Sequence, residues 1–482
     1  MINKNRKWNL QNSYVSLPNS FYELIEPSSV LNPKLIYFNN NLAEDLGLDF
    51  LSYDLSLATN YFSGNKLPEN SKPVAQAYAG HQFGHFAMLG DGRAVLLGEQ
   101  KDLSNKLYDI QLKGSGKTSF SRGGDGRATL SSMLREYIMS ESMHYLNIPT
   151  TRSLAVVDTG EKVFRESSAT GGVLTRIASS HIRVGTFEYG KQFCSQDDFK
   201  NFIDYVINRH YPEILDYEFP YLELLRFVMK KQIDLIVDWF RVGFIHGVMN
   251  TDNMSISGDT IDYGPCAFMN AYDPNTVFSS IDKNSRYSFG NQHKIAYWNL
   301  AVFAGTLLPF IDTDQDKAVE LVQNILNQFP IEYSKNWYKM MNSKLGILDP
   351  VEQDKELIKE LLDLMTFYKA DYTNTFAALT LNEINKDSLF HSNEFSVWKK
   401  QWQKRIKNDE KRKKLMRMSN PLYIPRNYLV ESSLKSAING NNAEIDELLN
   451  LMSNAYNYAG KHYGFQITPD GFDESYKTFC GT

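Results

Sequence analysis

The sequence predicts an α+β protein of two lobes with a largely helical C-terminal extension. The 482 residues, 42% of them hydrophobic, are enough for two or three domains or for one large two-lobed enzyme. Segments with the apolar pattern of strands are concentrated before residue 179, and stretches with the periodicity of helices dominate after it. We therefore expect three regions, at 1–178, 179–312 and 313–482, of which the last is helical.

Composition limits the class of protein further. A net charge of −5 argues against nucleic acid as a bulk partner. The three cysteines, Cys194, Cys266 and Cys480, have no C-x-x-C spacing and predict neither a disulfide framework nor a cysteine metal site. The first residues contain no apolar signal core, and the longest largely apolar run, 297–310, is shorter than the ~20 residues of a membrane span. We expect a cytoplasmic protein without a membrane partner.

A glycine-containing turn is the first candidate for phosphate binding. The segments 87–89 and 94–98 have the pattern of strands, and Gly90, Gly92 and Arg93 lie in the turn between them. A Gly-x-Gly turn lets backbone N–H groups approach a phosphate, and the arginine adds positive charge. An ordinary hairpin turn explains the same pattern, so both interpretations stay open here.

A lysine and a glutamate follow in an order typical of protein kinases. The alternating segment 108–113 predicts a strand that ends in Lys113, and a glycine-rich loop leads into a helix with an apolar stripe from Leu130 to Met143. In kinases a lysine at this place pairs with phosphates and with a glutamate of the next helix. Glu136 lies beside the apolar stripe, and its order and distance favour this pair over a solvated carboxylate.

Two arginines come next, where a kinase would hold adenine. The segment 153–166 predicts a hairpin with its turn at 158–160, and 172–178 predicts the fifth strand, which contains Arg176. Arg183 follows shortly after that strand. Guanidinium groups suit phosphate oxygens better than a purine, which favours phosphates at this end of the cleft. Two surface arginines in a charged loop are the alternative.

The segment 244–268 has the layout of the metal-binding half of a protein-kinase-like active site. A predicted helix over 221–248 leads into it, and strands at 254–256 and before Asp262 are expected around a turn. Asn253 and Asp262 occupy the positions of metal ligands. Val248 stands where such enzymes carry the catalytic aspartate, so the metal ligands are present and the usual base is not.

The remainder of the chain predicts helices. A buried helix is expected at 299–310, and further helices at 316–329, 354–368 and 443–456. The basic run 398–414 is interleaved with acidic residues, which is typical of a solvated helix face rather than of a nucleic-acid patch.

The stretches AYAGHQFGHF, LGDGRA, QLKGSGKTSFSRGGDGRATL, TRIASSHIRVGTFE, HGVMNTDNMSISGDTIDYGP and NPLYIPRN resemble the selenoprotein O family, also called the YdiU or UPF0061 family. The resemblance covers nearly the whole chain. It implies a protein-kinase-like fold with a pseudokinase active site that adenylylates proteins. In this activity AMP moves from ATP to Ser, Thr or Tyr hydroxyls of other proteins, and ATP is bound in the reverse of its kinase orientation.

The resemblance also implies roles for individual residues. Lys113 and Glu136 would form the ion pair, and Asp252 would accept the proton. Asn253 and Asp262 would hold Mg²⁺ or Mn²⁺. The residues expected to contact ATP are Gly90, Gly92, Arg93, Lys113, Asp125, Gly126, Arg176, Arg183 and Asp262.

Two questions stay open at this point. A disulfide between Cys266 and Cys480 would tether the C-terminal tail to the metal-binding segment and link activity to redox state; two free thiols are the alternative. The competing functions are a conventional phosphotransferase and a nucleotide-binding scaffold without catalysis. Val248 together with Arg176 and Arg183 favours transfer of AMP.

Overall fold

The computed structural model describes residues 8–479 except 49–54, 166, 407–409, 460–465 and 470. These residues form a mixed α/β structure with one large sheet. The strands are β1 (Leu10–Gln11), β2 (Tyr22–Leu24), β3 (Lys34–Phe38), β4 (Val74–Gln76), β5 (Ala79–Gln82), β6 (His85–Met88), β7 (Ala94–Lys101), β8 (Leu107–Lys113), β9 (Ala128–Thr129), β10 (Arg152–Phe164), β11 (Ser168–Ala178), β12 (Phe244–Ile245) and β13 (Ala267–Phe268).

Helices make up most of the described chain after β11. The α-helices are α1 (Asn40–Asp45), α2 (Leu55–Ser63), α3 (Leu130–Tyr145), α4 (Val184–Phe193), α5 (Gln196–His210), α6 (Pro220–Val242), α7 (Gln292–Ile311), α8 (Gln315–Leu326), α9 (Phe329–Leu345), α10 (Asp354–Phe367), α11 (Tyr372–Leu381), α12 (Asn393–Arg405), α13 (Glu410–Ser419), α14 (Asn427–Ile438), α15 (Ala443–Ser453) and α16 (Phe472–Ser475). The predicted helices at 316–329, 354–368 and 443–456 are thereby confirmed as α8, α10 and α15.

The large sheet is antiparallel, with strand order β2-β4-β7-β8-β11-β10-β3, and β1 and β9 add to β7 and β11. Its central strand β8 shows how the sheet divides the protein. Ile110 and Leu112 lie in an apolar cluster with residues of α1 and α2. Gln111 and Lys113 alternate with them and therefore face the other side, where a cleft opens.

The helix α3 covers β10 and β11 on the cleft side of the sheet. Thr129 caps its first turn by accepting a hydrogen bond from the Ser132 amide at 3.2 Å. The predicted apolar stripe is confirmed, since its members from Leu130 to Met143 are buried. Glu136 is buried too, at 3% exposure, which an unpaired carboxylate would not tolerate.

Several predicted boundaries and pairings are wrong because they depend on distant parts of the chain. The helix predicted over 221–248 ends at Val242, because Gly243 takes a left-handed conformation (φ +76°) and Phe244–Ile245 pairs with Ala267–Phe268. The segment 254–256 forms no hairpin with the residues before Asp262. Ser255 instead makes an isolated antiparallel bridge with Arg183.

Two predicted hairpins are also absent from the described chain. The strands on either side of Gly90 and Gly92 exist but do not pair with each other, since β6 pairs with β5 while β7 pairs with β8. The hairpin predicted at 158–160 is one 13-residue strand, β10, whose irregularity at these residues is a bulge opposite β11. The division into three regions and the protein-kinase-like, two-lobed arrangement stay predictions.

The predicted buried helix at 299–310 is confirmed as part of the longer α7. One stretch of the described residues, Phe289–Ile311, has the length and apolar composition of a membrane-crossing helix. Half of its apolar window is buried inside the protein, and buried core helices meet the same criterion. The helix packs against α4, α6 and α8.

Candidate active site

A cleft of about 480 Å³ lies between the sheet face of β8 and β11, the helix α3 and the segment 248–265. It brings together the following residues that the sequence singled out: Gly90, Gly92, Arg93, Lys113, Asp125, Gly126, Glu136, Arg176, Arg183, Asp252, Asn253 and Asp262. Residues that are far apart in the chain therefore share one cavity. Their roles in it remain predictions.

An ion cluster with Glu136 at its centre lies in the cleft. One carboxylate oxygen of Glu136 accepts from Lys113 Nζ at 2.7 Å, and the other accepts from Arg176 Nη2 at 2.7 Å. Both cations also reach Asp262 Oδ1, from Lys113 Nζ at 2.8 Å and from Arg176 Nη2 at 2.5 Å. Two cations are thus held between two carboxylates.

The carboxylate of Asp262 remains charged in this environment. Burial alone would raise its pKa, but Arg176, Lys113 and Arg183 outweigh burial and hold the pKa well below its usual range. The backbone of Asp262 is in the left-handed region, at φ +62°. Such strain in a residue other than glycine costs about 1–3 kcal/mol and is concentrated at functional sites.

Arg183 supplies a third buried cation. Its Nε donates to the His181 carbonyl at 3.0 Å, and its guanidinium lies 4.2 Å from the centre of the Tyr78 ring. Its Nη1 is 3.9 Å from Asp262 Oδ2. Because Arg183 has no carboxylate closer than this among the described residues, much of its charge is left for an anion in the cleft.

The segment after β12 presents a carboxylate, Asp252, that is bonded to Gln82 and has one oxygen without a partner among the described residues. Asp252 is 8% exposed, and its Oδ1 has no hydrogen-bond partner among the residues that the structure describes. Burial raises the pKa of Asp252 to about 6, and Arg183 opposes this rise. At pH 7 the group is therefore mostly ionised. Val248 is buried and lines the same cleft, and its side chain provides no carboxylate at that position.

Asn253 and Asp262 offer oxygen ligands that fit a hard cation. The Asn253 amide nitrogen donates to the Val248 carbonyl at 2.9 Å, which leaves its side-chain oxygen for another partner. Mg²⁺ is commonly held by one or two side-chain oxygens together with substrate phosphates. In the described part of the chain no group of three His, Cys, Asp or Glu residues could hold a metal alone, so phosphates would complete this site.

The glycines of the cleft have a structural reason that the sequence did not reveal. A Cβ on Gly90, which has φ +100°, would lie 2.4 Å from the Phe120 ring, and one on Gly92 would lie 2.7 Å from the Phe120 carbonyl oxygen. A Cβ on Gly126 would lie 2.0 Å from the Gly116 oxygen. Gly90 and Gly92 thus let the loop 114–127 fold closely against the segment before β7, and Gly126 lets this loop pack on itself. A contact of these glycines with phosphate stays a prediction.

Sequence reasoning missed several polar residues of the cleft. Asp91 accepts from the Gln76 amide and from Gln111 Nε2, both at 3.1 Å, and burial raises its pKa to about 6. The alternation of β8 was a usable signal for Gln111, which is two residues before Lys113. Arg165 was missed as well: it forms a double contact with the predicted Asp125, at 2.9 and 3.0 Å, and no local pattern indicates this pair.

Of the two cysteines of the redox hypothesis, Cys266 lies beside the cleft rather than in it. Cys266 is buried with a free thiol, and burial raises its pKa to about 12. Cys480 lies outside the described residues. Thr478 is described, and its hydroxyl donates to the Pro265 carbonyl at 2.7 Å. The tail therefore reaches the residue before Cys266.

Comparison with known proteins places the chain among the protein nucleotidyltransferases. It is 51% identical over 485 residues to the protein nucleotidyltransferase YdiU of Bacillus cereus (strain AH820), covering 100% of this chain and 99% of the relative. It is 53% identical over 486 residues to the protein of the same name from Clostridium botulinum (strain Alaska E43 / Type E3), covering 99% and 98%.

A family model described as Protein adenylyltransferase SelO matches residues 5–454. The chain belongs to this family, and the resemblance seen in its motifs is confirmed.

Proposed function

We propose that the protein transfers AMP from ATP to Ser, Thr or Tyr hydroxyls of other proteins, on a protein-kinase-like scaffold that binds ATP in reverse. The observation that supports this best is the position of Arg176. It projects from β11 into the cleft at 2% exposure and shares Glu136 and Asp262 with Lys113. Buried cations at the strand where a kinase would hold adenine favour phosphates there.

The direction of the nucleotide follows from the chemistry of AMP transfer. The hydroxyl attacks the α-phosphorus, the bond from this phosphorus to the bridging oxygen breaks, and pyrophosphate leaves with the bonding electrons. The enzyme therefore needs its cations around the two outer phosphates. Lys113, Arg176 and Arg183 lie where they can stabilise the negative charge that develops on pyrophosphate.

Asp252 is the residue proposed to accept the hydroxyl proton. Asp252 lines the cleft, and its Oδ1 has no hydrogen-bond partner among the described residues, whereas the Val248 side chain cannot accept a proton. General-base assistance is typically worth ~10²–10⁴-fold, so a carboxylate at this new position accounts for activity without the usual kinase aspartate.

Asn253 and Asp262 would hold Mg²⁺ or Mn²⁺. When bound, such an ion neutralises phosphate charge and orients the triphosphate. Asp262 accepts from Lys113 and Arg176 in this structure. Phosphate oxygens would offer both cations alternative acceptors, and Asp262 would then be free to bind the ion.

Redox control through Cys266 and Cys480 is part of the proposal. The Thr478–Pro265 hydrogen bond supports it. This bond holds Thr478, which is two residues before Cys480, against the residue that precedes the buried Cys266. Under oxidising conditions we expect a change in mobility on non-reducing gels that Cys480→Ser abolishes. Full alkylation of both thiols in oxidised protein would contradict the disulfide.

The experiment that tests the function uses ATP labelled on either the α- or the γ-phosphate. Transfer of the α label to protein supports adenylylation, transfer of the γ label indicates a kinase, and binding without transfer indicates a scaffold. Asp262→Asn should abolish transfer of the α label. Asp234→Asn is the matched control, because Asp234 lies on α6 and bonds to Asn336 away from the cleft.

A further inference from the structure

A buried cluster outside the cleft connects three elements behind Arg183. Asp109 of β8 accepts from the His181 amide at 2.8 Å and lies 2.9 Å from His181 Nδ1 through the same oxygen. Its other oxygen accepts from Arg209 of α5 at 2.5 Å. Arg209 also donates to the Ser179 carbonyl at 3.1 Å. The loop between β11 and α4 is thus held from two sides.

Burial and charge hold this cluster together. The side chains of Asp109, His181 and Arg209 are 1%, 0% and 6% exposed. Burial alone would raise the pKa of Asp109, but Arg209 and His181 outweigh it and lower the pKa. Burial lowers the pKa of His181, so its ring is neutral and donates from Nδ1. A charged carboxylate therefore holds a neutral imidazole in one orientation.

The cluster bears on Arg183 through a single carbonyl group. Arg183 Nε donates to the His181 carbonyl, so the direction of this carbonyl, together with the Tyr78 ring, orients the guanidinium. The backbone of 182–184 is fixed independently, since the Val184 amide donates to Met254 O at 2.9 Å and the Ile256 amide donates to Ile182 O at 3.0 Å. The residue before Ile182 is oriented by its two contacts with Asp109 and by the Ile182 amide, which donates to Ser180 Oγ at 3.0 Å.

The same strand organises the other two cations of the cleft. Asp109, Gln111 and Lys113 are two residues apart on β8 and therefore lie on one face. Gln111 Oε1 is 3.4 Å from Arg176 Nη1, and Lys113 pairs with Glu136. One strand face thus carries Lys113 and contacts the two segments that carry Arg176 and Arg183.

We propose that Asp109 and His181 are positioning residues that orient Arg183 for binding the outer phosphates of the nucleotide. This inference rests on the proposed role of Arg183 at the phosphates. A displacement of about 1 Å at a charged group that must meet a reacting phosphate can cost ~10²-fold in rate. Loss of the His181 imidazole therefore lowers activity by displacing Arg183. The same loss has little further effect on activity when Arg183 is absent.

A double-mutant cycle tests this prediction. The parameter kcat/KM for ATP is measured for the wild type, His181→Ala, Arg183→Ala and the double variant, after correction for the folded fraction. We expect His181→Ala to lower it ~10–100-fold in the wild type and less than about 3-fold in the Arg183→Ala background. The matched control is His293→Ala. This substitution removes from α7 an imidazole that stacks on Tyr333, and we expect it to leave folded-state activity nearly unchanged.

The outcomes separate the two levels of the proposal. If Arg183→Ala leaves kcat/KM unchanged, the proposed phosphate role of Arg183 is wrong. If Arg183→Ala lowers it but His181→Ala does not, or lowers it equally in both backgrounds, the positioning role alone is overturned. If His181→Ala does not fold, His181→Asn takes its place in the same cycle. The asparagine amide can donate to Asp109, so we expect His181→Asn to lower kcat/KM less than His181→Ala does in the wild-type background. In the Arg183→Ala background we expect no further loss of kcat/KM.

Discussion

The ion cluster around Glu136 allows a prediction whose size follows from the structure. Glu136→Gln keeps the shape of the side chain but removes the charge that holds Lys113 and Arg176, each at 2.7 Å. Breaking a buried ion pair by removing one charge costs about 3–5 kcal/mol. Asp262 remains as a second acceptor for both cations, so we expect a loss of about 3 kcal/mol in the free energy of unfolding.

The same substitution should lower activity by more than its effect on folding. With Glu136 neutral, Lys113 and Arg176 have Asp262 as their remaining carboxylate, which draws them toward this proposed metal ligand and away from the phosphates. We expect kcat/KM for AMP transfer to fall ~10²-fold in the folded fraction. Urea denaturation gives the stability, and release of labelled pyrophosphate gives the rate.

Glu141 provides a matched control in the same helix. It is 2% exposed and accepts from Arg152 at 2.7 and 2.9 Å, on a side of α3 that does not line the cleft. Glu141→Gln should destabilise the protein by a similar amount and leave folded-state activity within a few-fold of the wild type. Equal loss of activity in both variants, or full activity in Glu136→Gln, would refute the reasoning.

Three further predictions concern single residues of the cleft. Asp252→Ala should lower AMP transfer ~10²–10⁴-fold at saturating metal, and near-wild-type transfer would exclude Asp252 as base. The folded protein binds the Asp91 proton more tightly than the unfolded chain, because burial raises this pKa from 3.8 to about 6. As the pH rises from about 4 to about 7, the free energy of unfolding of the wild type should therefore fall by up to about 3 kcal/mol relative to that of Asp91→Asn. Parallel curves of stability against pH would contradict this. Gly90→Ala should destabilise the protein by about 2 kcal/mol or more, and Phe120→Ala in the same chain should recover part of the loss; no recovery in thermal unfolding would argue against the packing explanation.

Local spacing was sufficient for the parts of the site that neighbouring residues determine. Lys113 ends a strand with a clear two-residue alternation, and Glu136 lies on a helix whose apolar stripe fixes which face is buried. Once strand and helix are placed in order, few arrangements bring these charges together. The pair was therefore accessible from sequence before any coordinates were known.

Pairings between distant segments were not accessible in the same way. The partner of 254–256 is the segment around Arg183, and β6 pairs backward with β5 rather than forward with β7. Each strand has the same local pattern whichever partner it takes, so periodicity cannot choose between partners. For the same reason the packing of Phe120 on Gly90 could not be predicted.

The central claim is that the outer phosphates of ATP lie at the buried cations and not at the mouth of the cleft. It is tested most directly by a structure of the protein with a non-hydrolysable ATP analogue and Mg²⁺. We predict the terminal phosphate within hydrogen-bonding distance of Lys113 and Arg176, and the α-phosphate nearest to Asp252. A terminal phosphate beside Asp252, with adenine against β11, would contradict the account.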